Sequence, residues 1–466
     1  MRVLLVDVPQ PLRTALAAEL GRRHEVVEFA GDVLDAEHCA ARAEADVVVQ
    51  GRPDIADGSA RIEHATRGTW NLLTTTRAER YVQLSSLRHF AAYDPRWAVD
   101  ESWAPRPTTD PADLAVHLAE LTSREVCRAR PIRACVLRLD EGGGLSVDDA
   151  VRVVASEVEA ADWPSGPEGG PARWRVRHVR AGAVRPPSDG PVRWPHEPAP
   201  LSDLPTPHRI TVFGAAGPLA AATVPHLAGD HVLRLTDALP LAELAKRPPQ
   251  SPGAPRLDPV RPPHEEQVSD LTDADAVLSA AAHSDCLVNC AVIRHEPVGA
   301  FGVNVIGAYH TMRAAVAHGI RRVVHTGPTL VLLGHPVGYA EDHDVSEDAP
   351  PRAGDNLYFL TKLLAQEICR IFAEEHQIAC PMLLYCAFVD PATPPRWAMH
   401  PFAVSWNDAG RAMAAAATVR ALPTPTPVLH VLAPSPHGRF RSSAVREVLG
   451  WEPLDRLEQL WCRTTE

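Results

Sequence analysis

Three segments near the start of the chain recur, in the same order, roughly 240 residues later. GDVLDAEHCAARAEADVVVQ (31–50) resembles SDLTDADAVLSAAAHSDCLVNC (269–290), and RGTWNLLTTTRAERYVQLSS (67–86) resembles IGAYHTMRAAVAHGIRRVVHTG (306–327). VHLAELTSREVCR (116–128) resembles YFLTKLLAQEICR (358–370) without a gap. The offsets are 238 from Asp32 to Asp270, 239 from Gly68 to Gly307 and 242 from Val116 to Tyr358. A period of that length is too long for a solenoid and predicts a duplicated domain.

Each copy alternates short apolar runs with helical spacing. In the first, strands are expected at 2–8, 26–29, 45–49, 81–84, 133–138 and 173–183, with helices over 9–20, 65–76 and 111–129. Such alternation implies parallel sheets covered by helices. The fold expected is α/β, two tandem Rossmann-like doubly wound domains, the second with a small C-terminal substrate-binding part. The boundaries expected are 1–190, a proline-rich linker at 191–207, and 208–466. The proline-rich stretch 239–266 reads as a surface insertion.

Composition narrows the function. A formal charge of −12 and a pI near 6.0 leave no basic footprint for nucleic acid. No apolar run is long enough to cross a bilayer. Nine cysteines without a CxxC fit a reduced, cytoplasmic protein. There is no HExxH and no Cys/His spacing suited to a metal, so no metal site is expected.

The copies part company at the polar positions. Tyr358 and Lys362 stand four apart on an expected helix, so both leave one face. Only two of the 46 basic residues are lysines and six residues are tyrosines, so composition predicts about 0.03 Tyr-x-x-x-Lys matches. An ammonium beside a phenol favours the phenolate, and Lys362 is expected to lower the pKa of Tyr358 for acid/base work. Their counterparts in the first copy are Val116 and Glu120, and Asn304 falls near Ala65. Gly214-Ala-Ala-Gly217-Pro-Leu-Ala220 follows a strand and opens a helix, the context of a dinucleotide-binding turn. Its counterparts are Val8, Pro11 and Thr14. Asp237, at the end of the next strand, is placed to bind ribose hydroxyls and favours NAD, while the nearby Arg234 leaves NADP open. Asp270 is read either as a cofactor contact or as the N-cap of the following helix.

Together GAAGPLA, Asp237, SDLTD (269–273), VNVIGAYHTMRAA (303–315), RRVVHTG (321–327), YFLTK (358–362) and REVLGWEP (446–453) resemble the extended short-chain dehydrogenase/reductase family, the NAD-dependent sugar epimerase/dehydratase group. The resemblance covers about 208–462. It implies Tyr358 as acid/base and Lys362 as its partner and a ligand of the nicotinamide ribose. It further implies Asn304 as the helix asparagine, Asn289 and Ala291 at the strand end beside the cofactor, and Asp270 with Leu271 in the adenosine-side turn. The family's strand-end hydroxyl falls on Thr329, with Thr326 in reserve. Arg396, Trp397 and His400 are substrate-pocket candidates. The segment between Val389 and Trp406 offers only Arg396 to a diphosphate, so a small polar, sugar-like or natural-product substrate is expected. The activity implied is oxidoreduction or epimerisation. A non-catalytic cofactor-binding sensor and a nucleotide-sugar epimerase/dehydratase are the alternatives. The resemblance also implies an intrachain pseudo-dimer, with a homo-oligomer as a further option.

Overall fold

The computed structural model describes residues 1–466 apart from 43, 95, 143, 161–172, 182–197, 250–252, 330–344, 394–401, 435–440 and 458–466. The chain divides into two compact units, Met1–Glu197 and Pro198–Glu466. Each is an α/β unit built on one large parallel sheet.

The sheet of the first unit runs β2-β1-β3-β4-β5-β6, all parallel. Its strands are β1 (Arg2–Val6), β2 (Glu25–Glu28), β3 (Val47–Gln50), β4 (Arg80–Ser86), β5 (Arg133–Leu139) and β6 (Trp174–Val179). Continuous apolar runs such as Val3–Val6 and Val47–Val49 are buried, as a parallel sheet covered on both faces requires. The helix expected at 65–76 begins earlier. Asp57 caps Gly58–Glu63, a π-helical turn follows at His64–Gly68, and the helix continues through Thr69–Thr75. The helix Val147–Glu159 is an addition to the expectation, capped by Ser146 and packed through Val151, Val154 and Val158.

The second sheet runs β15-β12-β11-β10-β7-β8-β9. Its strands are β7 (Arg209–Phe213), β8 (Val232–Asp237), β9 (Glu265–Val268), β10 (Cys286–Asn289), β11 (Val323–Pro328), β12 (Met382–Tyr385) and β15 (Val428–His430). A two-stranded sheet, β13 (Ala387–Val389) with β14 (Ala403–Ser405), leads into the helix Trp406–Thr418. Beyond the first unit's order, the second has one extra edge strand, β9, and with it the 3-2-1-4-5-6 order of a dinucleotide-binding sheet.

Two expectations are corrected here. The insertion at 239–266 ends in sheet, because Glu265–Val268 pairs with β8; as an exposed edge strand of sequence EEQV it lacks an apolar signature. The linker is not free throughout. Its residues 191–197 lie outside the described residues, but Leu201 exchanges backbone hydrogen bonds with Leu422 at 2.8 and 2.9 Å, and Leu204 is fully buried.

Candidate active site

The dinucleotide turn lies between β7 and the helix Pro218–Thr223. Gly214 has φ +73°, and a Cβ there would sit 2.6 Å from the amide nitrogen and 2.7 Å from the Cα of Ala291. Glycine is therefore required by both conformation and space. Backbone on backbone at that distance brings the turn against the end of β10, where Asn289 Oδ1 accepts the N–H of Ala291 at 3.1 Å. Ala220 is fully buried, as close helix–strand packing demands.

Asp237 closes β8. Its carboxylate accepts the N–H of Ala216 at 3.0 Å and of Ala238 at 2.9 Å, so the acid is locked to the glycine turn. Burial raises its pKa, against the opposing pull of those two amides and of Arg247. Arg234 is committed elsewhere: it donates to the carbonyls of Ala280 and Ala282 at 2.6 and 2.8 Å and to Glu265 at 3.1 Å. A buried arginine so engaged is not available to a 2′-phosphate, which strengthens the preference for NAD.

Asp270 is not the N-cap. Asp273 caps the helix Ala274–Ala281 by accepting from Asp275 and Ala276, while Asp270 accepts the N–H and hydroxyl of Thr272, both at 2.9 Å. Leu271 is buried, its carbonyl accepts from His310 at 2.8 Å, and its Cβ would lie 2.9 Å from a Cβ on Gly307. The first unit repeats this turn with Asp32, Asp35 and Gly68.

Tyr358 and Lys362 sit in the first two turns of the helix Leu357–His376, capped by Asn356. The expected electrostatics is corrected at this pair. Burial raises the pKa of Tyr358, and the cation that opposes burial is Arg294, whose guanidinium carbon lies 5.2 Å from the ring centroid. Arg294, which the sequence reading did not single out, thus joins the candidate site through its guanidinium over the Tyr358 ring. Lys362 is itself perturbed: at 2% exposure, burial and the nearby Arg294 pull its pKa down to about 8.

Asn304 is held by three hydrogen bonds. Its amide donates to the carbonyl of Ile293 at 2.8 Å and to the Thr361 hydroxyl at 2.9 Å, and its oxygen accepts the N–H of Ile293 at 3.1 Å. The clamp ties the loop that carries Arg294 to the helix turn between Tyr358 and Lys362. It starts from a π-helical turn, Ala300–Ile306, matching the one in the first unit.

At the end of β11, Thr326 donates weakly to the carbonyl of Asn289 at 3.5 Å. Thr329 is fully buried, and among the described residues its hydroxyl has no hydrogen-bond partner. An unpaired buried hydroxyl costs stability and calls for a partner. Arg396, Trp397 and His400 lie outside the described residues.

Residues 210–396 match the family described as NAD dependent epimerase/dehydratase family. The second unit belongs to that family. Uronate dehydrogenase from Pseudomonas putida is 26% identical over 175 residues, 37% of this chain and 58% of the relative. Uronate dehydrogenase from Pseudomonas syringae pv. tomato is 27% identical over 175 residues, 37% and 56%. The match thus spans less than two thirds of these relatives. The crystal structure of uronate dehydrogenase from Agrobacterium tumefaciens aligns with a TM-score of 0.45 and 25% identity, covering 54% of this chain and 86% of that one. Among the described residues no helix is long and apolar enough to cross a membrane.

The family's cofactor is NAD, and the residues present fit it: a glycine cradle that a Cβ would fill, and Asp237 fixed beside it. Lys362 offers a test of the site's electrostatics without cofactor. Its folded pKa of about 8 lies below the ordinary 10.5, so below pH 8 the folded chain bears the cost of a buried ammonium, about 3 kcal/mol. Between pH 8 and 10.5 the unfolded chain alone keeps the proton, and stability rises with pH. Lys362→Met is therefore expected to be more stable than the parent at pH 7 and to lose that advantage by pH 10.5. Urea unfolding at both values checks it, and a variant less stable at pH 7 would refute the assignment.

Proposed function

We propose that the second unit is an NAD-dependent oxidoreductase acting on a hydroxyl or keto carbon of a small sugar-like substrate, a sugar acid being the preferred class. The observation that carries the reading is the Tyr358–Arg294–Lys362 group beside the glycine turn. The uronate dehydrogenase relatives support the substrate class. NAD, when bound, supplies the acceptor or donor of hydride. Gly214, Gly217 and Asp237 hold it, with Asn289 and Ala291 lining the strand end. The proton belongs to the chain's own residues: the phenol oxygen of Tyr358 takes it from a substrate hydroxyl or returns it to a carbonyl. Arg294 stabilises the phenolate through direct contact and Lys362 through its charge. Asn304 holds the Arg294 loop in place, and the unpaired Thr329 hydroxyl orients the substrate oxygen.

NADH absorbance, followed on mixing protein and NAD with a panel of sugars, sugar acids and nucleotide-diphosphate sugars, tests the reading. NADH formation with a sugar acid and none with the nucleotide sugars is expected. NAD binding without NADH or any change of product stereochemistry across the panel would leave a sensor instead.

The first unit is, in this reading, a duplicated copy without catalysis. Its strand order without the β9 counterpart, its π-helical turn and its Asp32/Asp35 turn support common descent. Val116 and Glu120 in place of Tyr358 and Lys362 support the loss of catalysis.

A further inference from the structure

The first unit contains a cavity of about 290 Å³ next to the end of β3 and the C-terminal half of β4. Its floor is the helix Pro111–Ala129, through Ala115, Val116 and Ala119. Val116 is the counterpart of Tyr358, so the cavity occupies the place where the second unit does its chemistry. A dinucleotide does not suit it. The counterpart of the glycine turn is Val8-Pro9-Gln10-Pro11, and its two prolines have no N–H to offer a phosphate.

Three guanidinium groups line the cavity, those of Arg52, Arg61 and Arg88, against two carboxylates, Asp54 and Glu141. Asp113 stands beside Arg88 at 3.1 Å, so each guanidinium has one carboxylate partner and the formal balance is neutral. Each arginine has a tether: Arg52 meets Glu141, Arg61 donates to the carbonyl of Ile55 at 2.7 Å and to Asp54 at 3.3 Å, and Arg88 reaches Asp113 at 3.1 Å. With five N–H donors on each guanidinium, donors remain for a ligand. Burial, with the proximity of Arg88 and Arg61, brings the pKa of Arg52 down to about 10 against the opposing pull of Asp113.

We propose that this cavity binds a small organic carboxylate, gripped by Arg52, Arg61 and Arg88 and packed against the alanine-rich floor. With every guanidinium already paired to one carboxylate, only unused N–H donors remain, which suits one added negative charge better than the two of a phosphate dianion. The fork geometry of guanidinium suits the planar carboxylate. The volume is at the low end for small-molecule sites and matches a ligand of a few carbons with hydroxyls. This site is independent of the activity proposed for the second unit.

Calorimetric titration of the full chain without NAD, with D-gluconate as probe and inorganic phosphate as comparison, tests it. Saturable gluconate binding is expected, tighter than phosphate, and weakened about tenfold or more in Arg88→Gln, whose side chain is 57% exposed. Ala115→Leu, which fills the floor without touching charge, is expected to weaken it as much. If melting shows that leucine costs the fold, Ala115→Val makes the same test. No gluconate binding to the parent, tighter phosphate binding, or unchanged gluconate affinity in either folded variant would overturn the proposal.

Discussion

Replacing Tyr358 with phenylalanine is expected to lower turnover about a thousandfold and to leave NAD affinity within a small factor of the parent. The substitution removes one oxygen. The ring keeps its place under Arg294 and beside Phe359, whose centroid is 5.8 Å away. The glycine turn and Asp237 are untouched, so the phosphates and adenosine ribose keep their partners. What disappears is the only phenol in the group and the proton it moves. The pH profile carries a second signature. Burial holds Tyr358 above its ordinary pKa of 10.0, so its phenolate is scarce near neutrality and grows as pH rises. Alcohol oxidation by the parent therefore climbs with pH, and that climb is absent in Tyr358→Phe. Initial rates of NADH formation with a sugar acid, together with calorimetric titration of NAD, measure both. A drop smaller than tenfold would move the proton to another group, with Thr329 the first to test.

The parallel sheets were legible because buried strands must be apolar, and VLLV (3–6), VVV (47–49) and CLV (286–288) are such runs. β9 was not, because an exposed edge strand needs no apolar residues and Glu265–Val268 has only Val268. The helix Val147–Glu159 is absent from the sequence expectation although Ser146 and the valine spacing announce it.

At the candidate site, the electrostatics was not readable from the sequence. Spacing along a helix puts Tyr358 and Lys362 on one face, but it cannot say how deep that face lies. Depth decides both pKa values: burial raises the phenol and lowers the ammonium. Arg294 escaped notice because its partner is 64 positions away in sequence, and the link between them is made by Asn304. The signal present was a lone arginine in the short exposed loop just after Asn289-Cys-Ala291. Asp270 illustrates the opposite error. Two aspartates three residues apart both suit a helix start, and the turn hydrogen bonds assign the cap to Asp273.

The counterpart of Lys362 yields the largest expected effect on stability. Glu120 is buried at 5% exposure and paired with Arg138 of β5, with Nη2 to Oε2 at 2.7 Å and both oxygens within reach of Nε. Ser85 donates to the same carboxylate, and His89 lies 3.5 Å from it. Burial pushes the carboxyl up, but Arg138, helped by His89 and Ser85, outweighs it and leaves Glu120 at about 2. Where one unit holds a cation, the other holds an anion with its own buried counter-ion. Reversal of a single charge would be costly alone, so the loss of the lysine and the presence of Arg138 belong together.

Arg138→Met is therefore expected to cost about 3–5 kcal/mol at pH 7, since it strands a buried carboxylate. Glu120→Leu combined with Arg138→Met is expected to recover most of that loss, because a packed apolar pair needs no counter-ion. The pH dependence has a definite sign. In the parent, the depressed pKa of Glu120 contributes stability that is present above its ordinary 4.5 and is lost as pH falls toward 2. In Arg138→Met the uncompensated carboxyl is raised instead, so protonation relieves it and the deficit against the parent narrows between pH 7 and pH 4. Urea unfolding of the parent, the single and the double variant at both pH values measures each quantity. A deficit below about 1 kcal/mol, the level of a surface pair, or one unchanged by pH, would mean that the carboxylate finds water or another cation, and that the charge inversion is not what holds this unit's core together.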